Sequence, residues 1–220
     1  MIKVERSYPA PLSLSIEKAK ANGTYRCEGV VPALRHDFNN KCYICELGDL
    51  QDPEIEHLIP HKGCNKDLEF DWDNLFWACR NCNDIKNQRK YAEGIIDCCH
   101  IDPELLLRQE VASGKVNVTV LGKTTDVVIN NTAMLLNEVF NKNNTEMRTV
   151  RQQERYHKLL QEMNVLYRTL EKYNGSLASV KNLYYRILES LLDRKTPFAS
   201  FKRQYVRDNS ARYPELQQLV

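Results

Sequence analysis

The sequence is poor in the features that would carry it into or across a membrane. No stretch of its 220 residues approaches the ~20 consecutive apolar side chains of a bilayer-spanning helix, and the opening run MIKVERSYPAP has no apolar core of the kind that marks a secretory leader. A cytoplasmic protein is therefore expected. Net charge is also scarce: 31 Lys and Arg stand against 29 Asp and Glu, leaving +2, so the overall balance does not by itself hold a polyanion. The chain shows no internal repeat and no low-complexity linker, which excludes a solenoid and leaves no sharp domain boundary. What charge there is lies unevenly. Residues 41–91 hold seven Lys/Arg against ten Asp/Glu, whereas residues 146–220 hold fourteen against eight. The first segment suits cations, and the second suits a polyanion or an acidic partner.

Cysteine, by contrast, is plentiful. Four of the eight cysteines form two CxxC pairs, Cys42/Cys45 and Cys79/Cys82. A zinc ion takes four N or S ligands at roughly 2.0–2.3 Å, and CxxC brings two thiolates onto one tight turn, so two such turns close one tetrahedral site. In a reducing compartment CxxC serves metal or redox chemistry rather than cross-linking. A thioredoxin-like use would need a single CxxC in a βαβ pattern, which is missing. Structural Zn²⁺ is the expected occupant. Thirty-three residues separate Cys45 from Cys79, more than a zinc ribbon needs, so the insert between the pairs is where chemistry is sought. Cys27, Cys64, Cys98 and Cys99 lack a second such geometry and read as small buried apolar residues. The run Cys98-Cys99-His100 stays without an assigned role, since adjacent residues seldom point at one ion.

Inside the insert, Ile55, His57 and Ile59 alternate with Glu56 and Leu58 up to Pro60, a short strand pattern, and Gly63 to Asp71 reads as a polar turn. Trp72 to Trp77 supplies a second aromatic strand or turn, its rings expected to pack behind the zinc site. Asn83, Lys86, Asn87 and Lys90 then recur at helical spacing, which predicts a helix beginning at the second cysteine pair. Further on, Lys115–Leu121 and Thr124–Ile129 predict a β-hairpin with Val116, Val118 and Val120 on one face, and Thr132 to Phe140 is helical in pattern. Apolar residues from Tyr156 to Tyr173 and from Leu177 to Leu192 mark two amphipathic helices. Between them Asn174-Gly175-Ser176 reads as a C-cap glycine followed by an N-cap serine, hence an αα-hairpin. A shorter helix is expected through Phe198, Phe201 and Tyr205. The fold class is α+β and mainly helical, with a zinc-bracketed ββα-metal core, a small β-hairpin and a C-terminal helical part. Its expected units are an extended arm (1–30), the core (31–100), a connecting hairpin and helix (101–145) and the C-terminal helices (146–220).

The run EHLIPH, the dipeptide Asn74-Leu75 and the segment CRNCNDIK resemble the HNH endonuclease superfamily in its zinc-containing form. That resemblance implies His57 as the general base that activates water, Glu56 as ligand of a divalent ion, Asn74 as brace of the loop, and Asn83 as second metal ligand from the helix. The motif thus reads H-N-N. Phosphodiester hydrolysis calls for such types: a hard cation offsets charge on the leaving oxygen, carboxylate and amide oxygens suit Mg²⁺ or Mn²⁺, and imidazole is neutral near pH 7. His61 and Lys86 are candidates for contact with nucleic-acid phosphates, whereas Lys90 reads as part of a solvated face. Over most of its length the chain also resembles the HNH family that includes PtuB, the nuclease subunit of Septu-type and certain retron-linked anti-phage systems, on MIKVERSYPAPLSL, KCYICE, DWDNLFWACRNCN and TPFASFKR. This implies an ABC-like ATPase partner, PtuA, engaged through the N-terminal arm and C-terminal helices. It implies DNA or RNA as substrate, host tRNA in retron-linked members, and in those a reverse transcriptase with its msDNA. Two other classes compete. A stand-alone restriction-type or homing endonuclease would carry a separate reader such as a helix-turn-helix, and none is evident. A non-catalytic zinc module would not need base, oxygen ligands and brace together.

Overall fold

The computed structural model describes residues 1–141 and 146–220, and the side chains of all of these but 146–149. Two helices, α1 (Leu12–Lys18) and α2 (Val30–Asp37), precede the first cysteine pair, after which the chain enters strand β1 (Pro53–His57). A one-turn helix α3 (Lys66–Glu69) follows, capped by Asn65, whose Oδ1 accepts from the Leu68 amide at 3.1 Å. A turn of 3-10 helix then leads into β2 (Leu75–Cys79), and α4 (Arg80–Lys86) begins directly at the second cysteine pair. The two strands are antiparallel, with Ile55 opposite Trp77 and His57 opposite Leu75. Leu75 to Ala78 are all buried, as an unbroken apolar run demands when both faces of a strand are covered. Trp72, Phe76 and Trp77 are likewise inside.

The second hairpin departs from expectation. Its strands are β3 (Leu107–Ala112) and β4 (Lys115–Val120); the partner of β4 lies upstream, not at 124–129. The reason is the two-residue connection Ser113-Gly114, with φ of 50° and 74°. Two positive φ values give the mirror-image turn whose twist matches that of the flanking strands. Val127 instead opens helix α5 (Val127–Asn141), led by Asp126, whose Oδ1 accepts from the Val128 amide at 2.8 Å. The side-chain amides of Asn137 and Asn141 bond N–H and C=O of Val118 and Val116 at 2.7–3.1 Å. These bonds satisfy the free edge of β4.

Helices α6 (Glu146–Gly175) and α7 (Ala178–Leu191) form the expected αα-hairpin, and α8 (Ala199–Asp208) follows. The caps differ from the sequence reading. Gly175 ends α6 in helical geometry, the Ser176 hydroxyl donates back to the Lys172 carbonyl at 2.5 Å, and Leu177 occupies the N-cap of α7. A serine that finds a carbonyl four residues earlier is no longer free to cap the next helix. Helices occupy about half of the chain, beside two small antiparallel hairpins.

Residues 1–30 do more than form an arm. They contain α1, and Met1, Ile2 and Val4 are buried in the core. Long-range polar contacts bind the first cysteine turn to the C-terminal segment. Glu46, 1 % exposed, accepts from the Met1 ammonium at 2.7 Å, from the Ser200 amide at 3.1 Å and from the Ser200 hydroxyl. Lys41 donates to the carbonyls of Arg194 and Thr196 at 2.6 and 2.9 Å. Burial alone would raise the Glu46 carboxyl, but the ammonium and Lys41 hold it down to about 2. Its contribution to stability is therefore complete above the ordinary carboxylate range and fades as the pH falls toward 2. Glu46→Ala, which leaves cations without their buried partner, is expected to cost ~3–5 kcal/mol in urea unfolding at pH 7. The gap to the wild type should narrow steadily in the same experiment repeated toward pH 3.

Candidate metal and catalytic centre

The two CxxC turns meet. The first is closed by the Glu46 amide donating to the Cys42 carbonyl at 2.8 Å; in the second, Cys79 is the N-cap of α4 and Cys82 lies in its first turn. The four Sγ atoms all lie within 4.8 Å of one another, against about 3.8 Å for sulfurs around a tetrahedral zinc at 2.3 Å. Four soft donors at this spacing, three of them buried, fit Zn²⁺. Arg155 of α6 lies against the cluster, buried, with Nη2 donating to Asn81 Oδ1 at 2.7 Å and Nη1 to the Val139 carbonyl. Burial opposes its charge, yet the four sulfurs outweigh that cost and hold its pKa above the ordinary arginine value.

Strand alternation decides what β1 offers to α4. Glu54 and Glu56 face the helix and meet Asn83 and Lys86, which lie one turn apart. Glu54 Oε2 accepts from Asn83 Nδ2 at 2.7 Å. Glu56 is buried, with one oxygen on Lys86 Nζ and the other accepting from the Tyr43 hydroxyl at 2.6 Å. Burial pushes its carboxyl up, and Lys86 and Tyr43 draw it back. Lys86 also donates to the carbonyls of His57 and Leu58, both at 2.8 Å. Two expectations are corrected here. Asn83 faces Glu54 rather than Glu56, and Lys86 has all three donors engaged inside the fold instead of lying open to a phosphate.

His57 closes the strand beside a cleft of about 280 Å³ that is also lined by Tyr25, Glu54, His61 and Asn83. Its Nε2 lies 3.0 Å from the Glu69 carbonyl. A carbonyl only accepts, so Nε2 carries the proton, and in the neutral ring Nδ1 is left as a base. Burial holds the pKa of His57 below the ordinary histidine value, the Glu69 carbonyl only partly offsetting this. The ring packs edge-on against Tyr25, 4.7 Å between centroids, and lies 4.4 Å from the ring of His61. Asn74 spans the loop between the strands: its Oδ1 accepts from the Ile59 amide at 2.7 Å, and its Nδ2 donates to the carbonyls of Ile59 and Leu68 at 2.9 and 2.8 Å.

Residues 42–89 match the family model of the HNH endonucleases. The chain thus carries an HNH nuclease domain, an enzyme unit that hydrolyses phosphodiester bonds, and the match spans both cysteine pairs, both strands and α4. No curated protein and no solved structure matches the chain.

Around the HNH unit, sequence reasoning missed three residues. Glu54 was legible in principle, because PEIEH places it on the same strand face as Glu56. Tyr25 and Arg155, from far outside the motif, had no local signal. Of the other cysteines, Cys98 is buried and Cys27 and Cys99 are half-buried, but Cys64 is exposed on the 61–65 turn and is not the buried apolar residue expected. His100 pairs with Asp97 at 2.8 Å. Among the described residues no helix is long and apolar enough to cross a membrane.

One zinc per chain is expected by atomic absorption, and stripping it with a strong chelator should abolish the cooperative thermal transition of the HNH unit. Lys86→Ala, which abandons the buried Glu56 carboxylate, should cost ~3–5 kcal/mol by denaturant unfolding. Its nucleic-acid affinity under folding conditions should equal that of the wild type.

Proposed function

We propose that the HNH unit is a metal-dependent endonuclease in which His57 takes the proton from an attacking water and Glu54 and Asn83 hold one hard divalent cation. The observation that carries this reading is the orientation of His57. Its Nε2 is committed to the Glu69 carbonyl, its Nδ1 is free to accept, and burial keeps the ring neutral near pH 7. Asn74 acts by bracing the loop from which that carbonyl and His61 project. Glu54 Oε2 lies 2.7 Å from Asn83 Nδ2, so a turn of the Asn83 amide would set its oxygen beside the carboxylate as a donor set for Mg²⁺ or Mn²⁺, which bind through one or two protein oxygens and keep waters and substrate phosphate as the rest. Bound there, such an ion supplies charge neutralisation at the leaving oxygen. Glu56 in this reading is a structural partner of Lys86, and His61 contacts the substrate phosphate.

The wider reading rests on sequence resemblance alone. In it the chain is a cytoplasmic effector of an anti-phage complex, restrained by an ABC-like ATPase and acting on DNA or on host tRNA.

His57→Ala should retain zinc and fold while cleavage of plasmid and tRNA substrates falls by at least ~10²-fold. The wild-type kcat/KM should rise with pH through an inflection below 6.5 and then level off, because only the neutral ring accepts a proton and it is lost as the pH falls. Glu54→Gln should raise the Mg²⁺ needed for half-maximal rate by roughly tenfold or more at unchanged melting temperature. Glu56→Gln should do the reverse, lowering the melting temperature with little change in Mg²⁺ demand; a Mg²⁺ effect confined to Glu56→Gln would restore Glu56 as the ligand.

A further inference from the structure

A second concavity, about 810 Å³ in volume, opens beside the catalytic cleft and shares Arg26 and Glu54 with it. Its two walls differ in charge. The loop before β1 and the start of that strand contribute Asp49, Asp52 and Glu54, while α4 and α6 contribute Arg80, Arg151 and Lys158, with Glu154 among them. Arg155 also reaches this wall, but it is buried on Asn81 and Val139. The remaining cations are exposed. Arg80 has only a 3.9 Å contact with Glu54, and among the described residues no acidic side chain pairs with Arg26, Arg151 or Lys158. Elsewhere on the C-terminal helices Arg186, Lys202, Arg203 and Arg207 are in ion pairs, while Arg168 and Lys172 of α6, also exposed, have none among the described residues.

We infer that this groove is the track for the nucleic-acid strand flanking the scissile bond, with Arg80, Arg151 and Lys158 binding backbone phosphates along it. The track presupposes the nuclease centre proposed above. Arg151 and Lys158 are seven residues apart, so they stand two turns and about 10 Å along one face of α6. That is the axial length of about three nucleotides of one B-form strand. Both lie outside residues 42–89, so the C-terminal helical part supplies the substrate grip that the HNH unit, with its excess of acidic residues, lacks. Side chains that meet only phosphates hold a strand without reading its sequence.

The experiment compares the full-length chain carrying His57→Ala with the same chain carrying Arg151→Glu and Lys158→Glu as well, binding labelled DNA and RNA of one sequence, single- and double-stranded, across a salt series. Because all these residues are exposed, zinc content and melting temperature should be unchanged. The added substitutions should weaken binding at least tenfold at 100 mM salt and flatten the slope of log affinity against log salt by about one and a half to two. Arg168→Glu with Lys172→Glu, equal in charge change but outside the groove, should leave binding within threefold. Equal losses in both pairs, or none in the groove pair, would overturn the track. Cleavage by the wild type with unaltered binding in the groove variant keeps the nuclease reading and discards the track. Groove-dependent binding without any wild-type cleavage keeps the groove as a nucleic-acid site but overturns its place beside a scissile bond together with the catalytic reading.

Discussion

The four-sulfur cluster is the constraint on which the remaining geometry depends. It joins the turn at Cys42–Cys45 to the junction of β2 and α4, and that junction sets the angle at which α4 crosses β1. Phe38, Phe76 and Trp77 bury this junction in the common core, and one metal ligated from both cysteine turns would fix it further. Arg155 extends the same constraint outward. A buried guanidinium beside four thiolates offsets part of their negative charge, so α6 belongs to the electrostatics of the metal site as well as to the hydrophobic core.

Fixing α4 against β1 divides the work between the two glutamates. Nearer the metal cluster, Glu54 meets an amide and stays partly exposed to the cleft; a strand pleat further on, Glu56 meets a lysine and a tyrosine and is sealed in. An ion pair of that kind adds little stability over an apolar pair, but it cannot lose one member without leaving a buried charge. The carbonyls of His57 and Leu58 share the same ammonium, which locks the end of β1 and therefore the direction in which the His57 ring leaves the strand. Buried structure and cleft chemistry are thus adjacent on one five-residue strand.

The C-terminal part is tied to the rest of the chain at two further places. Glu46 and Lys41 bind the 194–200 segment, and Glu104 collects Arg194, Arg203 and Arg207. With these cations consumed internally, the surplus of basic residues in 146–220 shrinks to those that remain exposed, and Arg151 and Lys158 of that remainder line a groove contiguous with the catalytic cleft. A net-charge count of the segment overstates its field; which charges are unpaired decides where a polyanion is held.

Much of this was legible in the chain itself, wherever the governing interaction is local. CxxC closes a turn over four residues, helical and strand periodicities act within one element, and the DWDNLFWACRNCN stretch states both a buried strand and the helix after it. The hairpin was misassigned because 115–120 can pair on either side, and only the mirror-image turn at Ser113-Gly114 and the cap at Asp126 choose between them. The pairing of Asn83 with Glu54 and the burial of Lys86 on Glu56 escaped local reading for the same kind of reason. Local spacing states which residues share a face, and by itself it named the four cysteines that cluster and the ββα order. Which partner each face meets, and hence which carboxylate is buried and which is open to a cation, is decided by packing between segments thirty to more than one hundred residues apart, where no short-range pattern reaches.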